Sequence, residues 1–281
     1  MELNNNQLAL YAYKARLNAV RMVHAAASGH PGGSLSCMDV LTALYFSEMK
    51  VDPENPRWED RDRFVMSKGH CAPALYSVLA LKGFFPEEDL MLFRSIKGNM
   101  SGHCEMNHVK GVDMSTGSLG QGLSAAVGMA LAGKDLKKDY RVYAITGEGE
   151  IAEGQIWEAM LSAAKYKLDN LCVTVDVNGL QIDGATEEVM PTAPLDKKFE
   201  AFGAHVITID GHDYDQILAA FAEARTVKGQ PTVILAKTVK GKGVSYMENS
   251  AGWHGKAPND EQMATAEQDL GKIIAELEAK A

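Results

Sequence analysis

Apolar positions recur at helical spacing through residues 8–27, 38–49, 74–81 and 119–132, and again through 155–166 and 214–226. Short apolar or β-branched runs bounded by turn residues, at 63–66, 141–146, 171–175, 206–209 and 232–236, predict strands. Strand and helix alternate along much of the chain, the order of βαβ units. The pattern therefore predicts an α/β fold, a parallel β-sheet flanked by helices on both faces. A last stretch, 261–280, predicts a solvent-facing amphipathic helix. No Ser/Pro-rich linker, composition shift or internal repeat divides the sequence, so residues 1–281 are expected to form one domain.

In open parallel sheets ligands gather beyond the carboxyl ends of strands. Two loops stand there: Thr146-Gly147-Glu148-Gly149-Glu150, and the stretch from Asp176-Val177-Asn178 through Leu180 to Gly184. They lie one helix and one strand apart, the length of a crossover that sets two strand ends side by side. Gly147 to Ala152 fits the dinucleotide fingerprint G-x-G-x-x-G/A, with Asp176 closing the next strand. Charge opposes a bare pyrophosphate, because Glu148, Glu150 and Glu153 crowd the junction. Carboxylates repel phosphates unless a divalent cation lies between them. Mg2+ takes oxygen ligands, and Glu148, Asn178 and a backbone carbonyl near Leu180 can supply them. Glu150 and Glu153 also suit a simpler role, complementing the dipole of the following helix. Glu148, wedged between two glycines, reads as the ligand.

Five of the eight histidines touch a glycine: His30, His70, His103, His212 and His254. Glycine is 26 of 281 residues, so chance predicts about 1.5 such pairs. An imidazole in a glycine turn sits where a ligand can approach closely, and it suits proton transfer near neutral pH. The two Gly-His-Cys triplets, at His70-Cys71 and His103-Cys104, raise zinc as a rival. Adjacent residues rarely chelate one ion, and the spacing of a structural zinc site is absent. His24, His108, His205 and His212 read as satisfied surface residues, His212 helping to cap the helix it precedes.

Composition narrows the setting. A globule of 281 residues buries about three-quarters of its unfolded surface and needs no staples. With 46% hydrophobic and 23% charged residues it is ordinary globular protein. The net charge of −9 excludes nucleic acid and anionic membranes as expected partners. The longest apolar run, 123–133, falls short of the roughly 20 residues that span a bilayer. No basic flank precedes an apolar block at the N-terminus, so no signal peptide is expected. Four scattered cysteines without CxxC spacing suit a reducing cytoplasm.

The run Gly147-Glu148-Gly149-Glu150 through Glu153-Gly154-Gln155, Trp157-Glu158-Ala159, Tyr166-Lys167-Leu168-Asp169-Asn170 and Asp176-Val177-Asn178 resembles the thiamine-diphosphate motif of transketolases. That motif begins GDG and ends near an Asn about thirty residues on. Ser28-Gly29-His30-Pro31-Gly32-Gly33, Ser67-Lys68-Gly69-His70, Ser101-Gly102-His103, Thr116-Gly117-Ser118-Leu119-Gly120-Gln121-Gly122 and Trp253-His254-Gly255 are similar to its other segments, in the family's order. The resemblance implies the diphosphate-binding domain of the thiamin-diphosphate-binding fold, with thiamine diphosphate and Mg2+ (or Ca2+ or Mn2+) as cofactors. Glu148, Asn178 and the Leu180 carbonyl would hold the metal. Gly149, Gly117, Ser118, Leu119, His70, His254, Glu150, Glu153, Asp176 and Lys240 would surround the cofactor. His30, His103 and His254 would serve the reacting sugar. Two departures stand out: Glu148 replaces the family Asp, and Ser118 its usual Pro. Lys240, in Val239-Lys240-Gly241-Lys242-Gly243, otherwise reads as part of an exposed basic hairpin.

Transketolases run to more than twice this length, adding pyrimidine-binding and C-terminal domains. The former carries the glutamate that activates the cofactor. The resemblance therefore implies the N-terminal subunit of a split enzyme. Its partner would be a separately encoded C-terminal subunit, assembled as α2β2 and acting on ketose and aldose substrates, phosphorylated ones foremost. Deoxyxylulose-phosphate synthase, a keto-acid dehydrogenase α chain, a nicotinamide-dinucleotide domain and a non-catalytic scaffold are the alternatives.

Overall fold

The structure is a computed structural model that describes residues 3–280. Helix α1 (Asn5–Ala25) starts with a capping box: Asn4 Oδ1 accepts from the Gln7 N–H, and Gln7 Oε1 from the Asn4 N–H, each at 3.0 Å. Its buried stripe, Leu8, Ala12, Ala15, Ala19 and Val23, follows helical periodicity. Pro31 opens a short helix the pattern did not predict, α2 (Pro31–Ser36), its fixed φ suiting a first helical turn. The helix expected over 38–49 is broken. α3 (Met38–Ala43) passes into a wider turn at Leu44–Glu48, closed by a bond from Met49 N–H to the Leu44 carbonyl at 2.7 Å. The widened turn directs Glu48 inward, where it accepts from the Tyr143 hydroxyl at 2.7 Å and pairs with Arg225.

The strands are β1 (Arg63–Met66), β2 (Val142–Gly147), β3 (Leu171–Val177), β4 (His205–Asp210) and β5 (Thr232–Lys237). They form one parallel sheet in the order β1-β2-β3-β5-β4. All five expected strands exist, within two residues at each end. Connecting them are α4 (Ala72–Lys82), α5 (Gln121–Asp135), α6 (Gly154–Lys165), α7 (Thr186–Val189), α8 (Leu195–Ala201) and α9 (Tyr214–Thr226), with α10 (Asp260–Glu278) at the end.

Alternate strand residues feed two cores. Phe64, Met66, Tyr143, Ile145, Cys172 and Ile234 point into the layer of α1, α3, α4, α9 and α10. Val65, Val142, Ala144, Val173, Val175 and Val233 point into the layer of α5, α6 and α8. Helices thus cover both faces, as a parallel sheet requires. The C-terminal helix is less solvent-facing than its pattern implied, for Met263, Ala266 and Leu270 are buried. No helix among the described residues is long and apolar enough to cross a membrane.

Candidate active site

Pairing of β2 with β3 sets Gly147 opposite Asp176, so the two predicted loops leave the sheet side by side. Glu148 Oε2 accepts from the Gly179 N–H at 2.7 Å, tying one loop to the other. Asn178 Nδ2 donates to Asp176 Oδ2 at 3.0 Å, and its Oδ1 accepts from the Leu180 N–H at 3.2 Å. A Cβ at position 149 would come within 3.1 Å of Gln181 Cγ, so glycine keeps the loops close.

Asp176 is the hub. Its buried carboxylate accepts from Thr238 Oγ1 at 2.5 Å, Ser36 Oγ and Lys68 Nζ at 2.6 Å, and Asn178. These donors stand on α2 and at the exits of β1, β3 and β5, so one carboxylate gathers four segments. Burial disfavours the Lys68 ammonium, but Asp176 outweighs it and holds the Lys68 pKa well above its ordinary value.

His30, His70, His103, Gly117, Leu119, Glu148, Gly149, Glu150, Asp176, Asn178, Leu180, Lys240 and His254 line one cavity of about 340 Å³. Its imidazoles form a cluster: ring centroids of His30 lie 5.1 Å from His70, 5.8 Å from His103 and 5.4 Å from His254. His103 is seated under Gly117, where a Cβ would meet its Cδ2 at 3.0 Å. Among the described residues the other four histidines each have a carboxylate: His24 with Asp260, His108 with Glu105, His205 with Glu223 and His212 with Asp39. The cavity four have none.

Consequently burial, and next the neighbouring His70, push the His30 pKa down to about 4. Burial and then Lys240 push His254 down to about 3, and burial followed by His70 lowers His103. These rings are neutral at neutral pH and can accept or donate a hydrogen bond. In the unfolded chain imidazoles bind protons below about pH 6.5, which the folded rings refuse. Stability should therefore fall as pH drops from about 6.5 towards 4. Urea titrations at about pH 7 and pH 5 are expected to show the loss in wild type and a smaller loss in H254Q; equal losses would contradict it.

Several expectations need correction. Lys240 is not on an exposed hairpin: it is 3% exposed, with Nζ 3.1 Å from His254 Nδ1, and burial followed by Lys68 lowers its pKa. Glu150 does not serve a helix dipole; it is buried and staples three segments, accepting from Ser67 Oγ at 2.6 Å, Gly120 N–H at 2.8 Å and Gly147 N–H at 3.0 Å. Ser118 and Glu153 are exposed and stand off the cavity lining, Glu153 at the start of α6. Lys68 is a site residue that the sequence did not single out, although its segment did; a cation at a strand exit, facing Asp176 across the sheet, is the available signal.

The donor set fits a divalent cation and a diphosphate. Among the described residues no three His, Cys, Asp or Glu side chains converge as ligands. A cation here would draw on Glu148, the Asn178 amide oxygen, a carbonyl and oxygens of the ligand itself, the all-oxygen set Mg2+ prefers. Lys240, His70 and His254 beside them favour an anion.

The family model described as "Transketolase, thiamine diphosphate binding domain" matches residues 8–276. The 6-deoxy-6-sulfo-D-fructose transketolase subunit SqwG of Clostridium sp. (strain MSTE9) is 49% identical over 244 residues, 87% of this chain and 89% of its own. An apulose-4-phosphate transketolase subunit of Phocaeicola vulgatus is 44% identical over 271 residues, 96% of each chain. The crystal structure of transketolase from Campylobacter jejuni superposes with a TM-score of 0.90 at 36% identity, covering 96% of this chain and 43% of that one. The chain thus spans nearly the whole of the subunit-named relatives and less than half of a solved transketolase. It belongs to the transketolase family, and the part it carries is that family's thiamine-diphosphate-binding domain.

Proposed function

We propose that this chain is the N-terminal subunit of a two-chain transketolase, which moves a two-carbon ketol unit from a ketose to an aldose with thiamine diphosphate and Mg2+. The observation that carries the reading is the convergence of four carboxylate-free histidines with Glu148, Asn178 and Lys240 on one cavity. Glu148, the Asn178 amide oxygen and the Leu180 carbonyl hold the cation. Gly149, Gly117, Leu119, His70, His254 and Lys240 receive the cofactor. When bound, thiamine diphosphate supplies the nucleophilic carbon that takes up the two-carbon unit.

The chain's own residues bind, orient and move protons. The neutral imidazoles of His30 and His103 accept and return the proton of a sugar hydroxyl, and His254 assists from the Lys240 side. Asp176, saturated by its four donors, keeps the loops in register. Ile182 and Val189 on the cavity wall limit water. Relatives named as subunits support a separately encoded partner that completes the site. The sulfonated and phosphorylated sugars in their names support an anionic ketose as donor class. Four buried free thiols support a cytoplasmic setting.

Assay of the purified chain and of the chain co-expressed with its partner tests this. The pair should transfer ketol units only with thiamine diphosphate and Mg2+, and the chain alone should not. Turnover by the chain alone would overturn the two-chain reading, and NADH binding without metal would overturn the cofactor.

A further inference from the structure

His212 does not cap α9; Asp213 does, accepting from the backbone N–H groups of Asp215 and Gln216 at 2.9 and 3.2 Å. The His212 ring is held at both nitrogens instead. Nδ1 lies 2.6 Å from Asp39 Oδ2, and Nε2 accepts from the Val239 backbone N–H at 2.9 Å. A backbone N–H can only donate, so Nε2 carries the lone pair and Nδ1 the proton. Asp39 is itself fixed. It is buried, Arg16 reaches its two oxygens at 3.0 and 2.5 Å, and the Tyr214 hydroxyl adds a bond at 3.2 Å. Burial works against its charge, but Arg16 and His212 outweigh it and hold the carboxyl well below the usual range.

Val239 stands between two residues committed to the cavity. Thr238 donates to Asp176, and Lys240 faces His254. The Lys240 stem crosses close over α2, since a Cβ on Gly32 would meet its Cγ and Cε at 3.2 Å. Burial and the Lys68 charge disfavour an ammonium there, so a slack backbone would let it swing to water. Beyond Lys240 the chain is tied by bonds from Gly241 N–H to the Gly32 carbonyl at 3.0 Å and from Asn249 N–H to the Lys240 carbonyl at 2.9 Å. Ahead of it, the Thr238 N–H bonds the Val177 carbonyl at 3.0 Å, and the His212 bond holds the Val239 N–H, the last backbone donor before Lys240.

We infer that His212, oriented by Asp39, is a positioning residue for Lys240: by gripping the Val239 N–H it sets where the segment leaving β5 crosses the cavity. The inference rests on the proposed reading in which Lys240 receives the cofactor's diphosphate.

Two replacements separate the two bonds. An asparagine amide reaches the Nδ1 position, so H212N keeps a donor for Asp39 and leaves the Val239 N–H without an acceptor. A glutamine carbonyl reaches the Nε2 position, so H212Q keeps that acceptor and gives up Asp39. In the full chain with its partner, H212N is expected to raise both the acetylation rate of Lys240, read by mass spectrometry, and the thiamine diphosphate Kd with Mg2+ by about tenfold, with H212Q within about twofold of wild type. Acetylation is read without cofactor. A Lys240 freed in H212N but not H212Q, at unchanged thiamine diphosphate Kd, would therefore support the positioning role and discard the diphosphate reading. A residue serving stability alone would move both variants alike. Equal exposure of Lys240 in both, equal protection in both, or failure of both to fold would each overturn the inference.

Discussion

Replacing Lys68 by methionine is expected to destabilise the folded chain by about 3–5 kcal/mol at neutral pH, the usual loss when one partner of a buried ion pair is removed. Lys68 Nζ lies 2.6 Å from Asp176 Oδ2 and donates to the Gly33 carbonyl at 2.9 Å, with the two side chains 2% and 1% exposed. Methionine fills the stem's volume but leaves a carboxylate in low dielectric. Ser36, Thr238 and Asn178 still donate to it, which places the loss towards the lower end. Salt should leave the cost unchanged, because a buried pair is little screened. Adding Asp176→Asn should recover much of the loss, since both charges then go together. Urea denaturation of the single and double variants measures this. A loss below about 1 kcal/mol in K68M would show that the pair is no internal brace.

Glu148→Ala is expected to weaken Mg2+-dependent binding of thiamine diphosphate by at least about 100-fold, since even residues one shell behind a metal's ligands cost 10–100-fold. Folding should survive. Burial raises the Glu148 pKa, so the folded state gains nothing from its charge, and the single bond to Gly179 N–H is the structural loss. Glu148→Asp restores the carboxylate length of the family motif and should bind. Glu148→Gln keeps an acceptor for Gly179 but not the charge, and should fail as alanine does. Calorimetric titration of the full chain with its partner, with and without Mg2+, reads all three. Alanine binding within about threefold of wild type would remove Glu148 from the metal.

Much of the site is legible in the sequence because its parts are local in the chain. Gly147-Glu148-Gly149 and Asn178 declare a strand exit by composition, and parallel pairing of β2 with β3 follows from the length between them. The glycine-flanked histidines stand out in the same way. What stays hidden is pairing at a distance. Nothing near Lys68 in sequence tells that Asp176, 108 positions on, lies 2.6 Å away. Nothing near Lys240 tells that a buried wall awaits it, so a Lys-Gly-Lys-Gly run reads as solvated turn.

By itself the sequence determined the alternation of strands and helices, the two loops at the strand ends and the chemical types gathered there. Periodicity and glycine act through the local backbone, and local rules suffice to read them. Tertiary structure alone decided that His30, His103 and His254 stay neutral. The same imidazole lies beside a carboxylate at His24 or His205 and without one at His30 or His254, whose pKa burial lowers. It also decided that Glu150 staples the loops while Glu153 faces solvent. Burial and charge neighbourhood are properties of folded space, set by which distant segments meet at Asp176, and no window of sequence contains them.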